Sequence, residues 1–167
     1  TLVKNDNFAG EHKARNNGLV YRFYSDMDTA YADLQAGRLD TLPRTIPPTA
    51  MASFETDFPD SSANVPTSSA QYFAIPRNLP GFSGEEGKLR RQAISMAFDR
   101  QLITDKIFFG TRTPAREFSS LTLGDLDPNV PGQDVLKYNP DKARKLWAEA
   151  NKIAPFTGSF DIAYNAD

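Results

Sequence analysis

The chain has 167 residues, 40% of them hydrophobic and 24% charged, with 19 basic against 21 acidic side chains and a net charge of −2. Such a composition belongs to a folded protein with a core of its own, and the charge excludes an overall positive field that would draw in nucleic acid or anionic lipid. Cysteine is absent, which removes thiolate catalysis, disulfide cross-links and thiolate zinc sites together.

Residues 1–18 form a short apolar start and then a polar, Asn-rich connector. The start has neither an initiator Met nor a signal-peptide pattern and reads as the middle of a strand, so the chain is expected to be a section of a longer protein. Residues 19–25, "LVYRFYS", have the Val, Tyr and Phe content of a strand. A helix follows, with Asp26 or Asp28 as N-cap, Ala30, Tyr31 and Leu34 on its apolar face, and Gly37 closing it. "RLDTLP" predicts a second short strand, and Pro47 and Pro48 stand at the entrance of a further helix. A third strand is expected within residues 61–78, most firmly over 70–75.

The glycine-rich loop 79–87 leads into "KLRRQAISMAFDRQLITDKIFFG", residues 88–110. Leu89, Ala93, Ile94, Ala97, Phe98, Leu102 and Ile107 recur there at helical period, which predicts one long helix with that stripe in the core. Its cations, among them Lys88, Arg90, Arg91, Arg100 and Lys106, are interleaved with Asp99 and Asp105 and read as a solvated face. Residues 110–134 carry too many breakers for regular structure, and loops of that length are usually functional or mobile. Asn139 as N-cap and Pro140 at the first helical position open another helix, with Ala143, Leu146, Trp147 and Ala150 on one face. A final strand is expected over 159–167. No apolar run approaches the roughly eighteen residues that span a bilayer. The order of elements is that of an α/β fold.

The residues offer little chemistry of their own. "GFSGEEGKL" is not a phosphate loop: five residues separate Gly81 from Gly87, Leu89 stands where a hydroxyl is needed, and Glu85 and Glu86 would repel phosphate. His12, the single histidine, lies in the polar connector and reads as a surface residue. The acidic pairs Asp26/Asp28 and Asp125/Asp127 read as a helix start and a loop, not as metal ligands. No catalytic residue, metal site or cofactor is implied.

The order of segments nevertheless resembles a known family. "LRRQAISMAFDRQLITDKIFFGTRTPA" is similar to the most characteristic stretch of the family 5 extracellular solute-binding proteins, the peptide- and nickel-binding components of ABC importers. Arg91, Gln92, Ala93, Ile94, Ser95, Ala97, Asp99, Arg100, Gly110, Pro114 and Ala115 match its pattern in order. "VKNDNF", "TAYADLQAGRLDTL" and "YNPDKARKLWAEA" resemble its flanking motifs. Three departures stand out: Pro76 and Arg77 before Asn78, Trp147 in place of a Leu, and Asn151 in place of a helix-ending Gly.

The resemblance implies a partial lobe of a two-lobed, class II binding-protein fold with a mixed sheet flanked by helices. Residues 1–18 would be the tail of the other lobe and hinge, and 19–167 the first part of the α/β lobe, incomplete at its C-terminal end. It implies an extracytoplasmic protein, periplasmic or lipid-anchored, that captures oligo- or dipeptides between its lobes and delivers them to membrane permease subunits. A nickel complex, haem, a sugar or a peptide-sensing role are alternatives on the same fold, and a hydrolytic lobe is the alternative from another class. Ligand is expected at strand ends and the loops after them: Arg44, Thr45 and Ile46; Ser68, Ser69, Gln71 and Tyr72; and Arg112, Arg116 and Phe118. Arg112 or Arg116 would receive a carboxylate, and Tyr72 or Phe118 would stack on a ligand side chain.

Overall fold

Asp26 is the residue that starts the first helix. Its carboxylate accepts hydrogen bonds from the amide and the hydroxyl of Thr29, each at 2.7 Å, and those bonds hold it below the usual carboxylate range. The structure is a computed structural model that describes residues 1–43, 46–124 and 130–163. The chain forms two compact units, Thr1–Ser62 and Ala63–Asp167.

In the first unit, β1 (Leu2–Val3) pairs antiparallel with β2 (Gly18–Leu19), joining the ends of the polar connector. Helix α1 (Met27–Gln35) ends at Gly37, whose φ of +68° is the left-handed conformation a glycine adopts without a Cβ penalty. Pro47 precedes a short 3-10 turn, Pro48–Ala50, and then α2 (Phe54–Asp57). Tyr31, Ala50 and Phe54 make the buried core, with Leu42, Ile46 and Phe58 packed against it. The Tyr31 hydroxyl donates to Asp57 at 2.7 Å. Burial first, and then the Asp57 carboxylate, push that phenol up to about 12.

The second unit is built on two helices, α3 (Gly84–Ala97) and α5 (Pro140–Ile153), packed against each other. Small residues let them approach. Ala93, Met96 and Ala143 are buried at the contact, and Leu146 and Trp147 close over it. Gly87 permits a second close approach, since a Cβ there would lie 2.1 Å from the backbone carbon of Phe82. Phe82, itself buried, meets Phe156 and Phe160 edge to face. As the sequence predicts, Asn139 caps α5, accepting from the Lys142 amide at 2.9 Å, with Pro140 at the first turn.

Three expectations are corrected. The long helix over 88–110 is two: α3 stops at Ala97, Phe98 turns extended, and Asp99 caps α4 (Arg100–Lys106) by accepting from the Leu102 amide at 2.9 Å. A side chain that can cap competes locally with helix continuation. The apolar stripe breaks with it, leaving Leu102 and Ile107 more than half exposed while Ala93 is buried.

The cations are also not a uniformly solvated face. Arg90 is only 1% exposed. It donates to the carbonyls of Gly81 and Ala154 and to Asn151 Oδ1 at 3.1 Å, and it lies over the rings of Trp147 and Phe156. Its Nε has no partner among the described residues. Arg91 donates to the Phe82 carbonyl. Two of the three departures from the family pattern, Trp147 and Asn151, thus meet at one buried guanidinium.

Finally, the mixed sheet flanked by helices is not formed among the described residues, where the only sheet is β1 with β2. Residues 20–25, 38–43, 70–75 and 159–163 have strand-like sequences but no ladder partner; residues 164–167 lie outside the described residues. A strand is defined by its neighbour's hydrogen bonds, so composition alone does not form one.

Candidate functional site

The motif residues Ser95 and Arg100 set up the site by fixing the segment before α5 against the end of α3. Arg100 donates through one nitrogen to the carbonyls of Ser95 at 2.9 Å and Leu136 at 3.1 Å, and through the other to Ser95 Oγ at 2.9 Å. Ser95 Oγ in turn donates to the Val135 carbonyl at 2.8 Å, and the Asn139 amide to the Met96 carbonyl at 2.9 Å. Partial burial holds the Arg100 guanidinium below the ordinary arginine value. These five bonds pin residues 135–139 to the helix pair.

Between that pinned segment and the loop after α4 lies an open cleft of about 520 Å³, within the range typical of small-ligand sites. Leu136, Lys137 and Tyr138 form one wall, Thr113, Pro114 and Arg116 the other, and Asp99 and Arg100 contribute at the base of α4. Asp99 is occupied in capping and Arg100 in its carbonyl bonds. Arg116 is exposed and makes no hydrogen bond or ion pair among the described residues.

Beside the cleft loop runs residues 64–73. Asn64 Nδ2 donates to the Thr111 carbonyl at 3.3 Å and Ser120 Oγ to the Thr67 carbonyl at 2.7 Å. Arg112 donates to Gln71 Oε1 and lies 3.9 Å over the Phe108 ring. Tyr72 and Phe118 meet with ring centroids 5.6 Å apart, both largely exposed, and Phe73 stacks on Phe98. The backbone of this segment is open: none of the amides of residues 70–75 donates to another described residue.

These motifs have a counterpart in a known family. Over residues 1–167 the chain matches the family described as "Bacterial extracellular solute-binding proteins, family 5 Middle". The chain belongs to that family. No curated protein matches it. Family 5 proteins bind solutes for transport outside the cytoplasm and are in general not enzymes. No helix among the described residues is long and apolar enough to cross a membrane.

The residues singled out in this family 5 chain fall into three groups. Gln71, Tyr72, Arg112 and Phe118 come together on one surface of the second unit, and Arg116 lines the cleft. Ser68 and Ser69 are exposed on the same segment, the Ser69 amide donating to Thr67 Oγ1 at 3.3 Å. Ile46 packs against the core of the first unit, while Arg44 and Thr45 lie outside the described residues. Sequence reasoning missed Leu136, Lys137 and Tyr138 as cleft residues.

Proposed function

We propose that this chain is part of the extracytoplasmic binding component of an ABC importer, which captures peptides and hands them to a membrane permease. Within the whole protein, residues 1–18 act as a connector from the other lobe and 19–167 as the first part of an α/β lobe, and the protein works in the periplasm or lipid-anchored at the cell surface. The observation that carries the peptide reading is the open backbone of residues 70–75 beside exposed aromatic rings. An extended peptide offers a row of amide donors and carbonyl acceptors, and an unpaired backbone edge satisfies them regardless of side chain. Tyr72 and Phe118 then provide an apolar platform for one side chain of the ligand, and water fills what that chain does not. This combination suits a protein that must accept many sequences.

Hydrogen exchange on the full-length protein, with and without a mixed tripeptide library, tests this reading. Peptide is expected to slow exchange across residues 70–75, and native mass spectrometry of protein isolated from its host should show a co-purifying short peptide. If those amides are already fully protected without ligand, another strand of the protein closes the edge and the proposed mode of peptide capture fails. A sugar, haem or nickel complex in the mass spectrum would replace peptide as the solute.

A further inference from the structure

The polar connector ends on a reactive pair. Asn17 and Gly18 form the only Asn-Gly step in the chain, and asparagine is among the thermally labile side chains. The amide carbon of an asparagine side chain can close a five-membered ring with the backbone nitrogen of the next residue. That nitrogen must be free and uncrowded, and a glycine has no Cβ to obstruct the approach.

Both residues are exposed, and the Asn17 side chain makes no hydrogen bond to another described residue. The Lys4 amide donates to the Asn17 carbonyl at 3.3 Å, so Lys4 and Asn17 face each other as a hydrogen-bonded pair. Antiparallel pairs alternate, which makes the next pair, Val3 with Gly18, the kind without hydrogen bonds. The Gly18 amide therefore stands outside the ladder. That ladder is two residues long on each side, and so short a ribbon opens readily in water. Asn7 and Asn16 are equally exposed in the same connector, but Phe8 and Asn17 follow them with side chains that crowd the same attack.

We propose that Asn17–Gly18 is a site of spontaneous deamidation. The Gly18 nitrogen bonds to the Asn17 side-chain amide carbon, the bond from that carbon to its own nitrogen breaks, and ammonia leaves with the proton from Gly18. Water then opens the cyclic imide at either carbonyl, giving aspartate or isoaspartate, and the proton of the new acid passes to the ammonia. Either product adds one negative charge to a chain that is already net negative. Isoaspartate also routes the main chain through the side-chain carbon. The former Asn17 carbonyl then leaves the main chain, Lys4 loses its acceptor in register, and β1 parts from β2.

The full-length protein and a synthetic peptide of residues 13–20 are aged side by side in heavy-oxygen water, digested and mapped by mass spectrometry. Conversion with uptake of heavy oxygen is expected at residue 17, as aspartate and isoaspartate together, at a rate within about tenfold of the peptide. Asn7 and Asn16 should stay intact over the same period, and Asn17→Gln should abolish the conversion, because its longer side chain cannot close a five-membered ring. The separated isoaspartate form should exchange its Lys4 amide hydrogen faster than the parent. Conversion more than about tenfold slower than in the peptide means that the fold protects the pair, and it overturns the proposal. Equal conversion at Asn7 and Asn16 also overturns it, since the freedom of the Gly18 amide would then decide nothing. Unchanged exchange at Lys4 overturns the parting of β1 from β2 and leaves the modification standing.

Discussion

On α3 and at the start of α4, Arg90, Arg91 and Arg100 all donate to backbone carbonyls, and Arg90 does so with almost no exposure to water. On the loop after α4, Arg116 donates to nothing among the described residues. The two regions use one side chain for opposite ends. A guanidinium has five donors in a fixed fork, so it can tie several chain ends together where carbonyls converge. Where none converge, the same fork is available to a ligand. Arginine content therefore says little about binding, and the distribution of acceptors around each guanidinium says most of it.

The sharpest way to break this comparison is at Arg90. Arg90→Ala leaves the Gly81 and Ala154 carbonyls without their donor in a buried site and opens a void beneath Trp147 and Phe156. A loss of about 3–5 kcal/mol is expected, measured as the shift in denaturant midpoint at constant slope. Arg90→Met should cost less, because it keeps most of the volume and removes a desolvated charge.

Arg100→Ala comes next. It frees the Leu136 carbonyl and Ser95 from one shared donor, with an expected loss of about 2–3 kcal/mol and faster hydrogen exchange confined to residues 133–139. Uniformly faster exchange would show instead that Arg100 supports the whole unit. The smallest effect is expected at Arg116, where the alanine variant should stay within about 0.5 kcal/mol of the parent. A loss beyond about 1 kcal/mol would place Arg116 with the structural arginines and end the distinction.

Local chemistry was legible where it was short-ranged. The caps at Asp26 and Asn139 and the apolar face of α5 depend on residues within one helical turn, and that information is contiguous in the chain. The break between α3 and α4 was less legible, because Phe98 fits a continuing apolar period while Asp99 supplies a competing cap. Periodicity alone did not weigh the two. The burial of Arg90 was not legible at all. Its acceptors come from Gly81, Asn151 and Ala154, and their convergence is a product of how α3 and α5 pack. Of the site, the neighbouring segments 68–72 and 112–118 could be named from their positions after predicted strands and helices, whereas the wall at Leu136, Lys137 and Tyr138 required the bonds that Arg100 and Ser95 make to carbonyls 36 and 40 residues away, which no local pattern records.

By itself the sequence determined the family and the helices α1 and α5 with the Asn139 cap, because ordered motifs and helical period are properties of the chain read in one direction. Only the tertiary structure decided which arginine donates to nothing among the described residues, which strand-like segments lack partners among them, and where the cleft lies. Those depend on which donors meet which acceptors across distant segments, and a hydrogen bond or a buried charge has no value until its partner is in place.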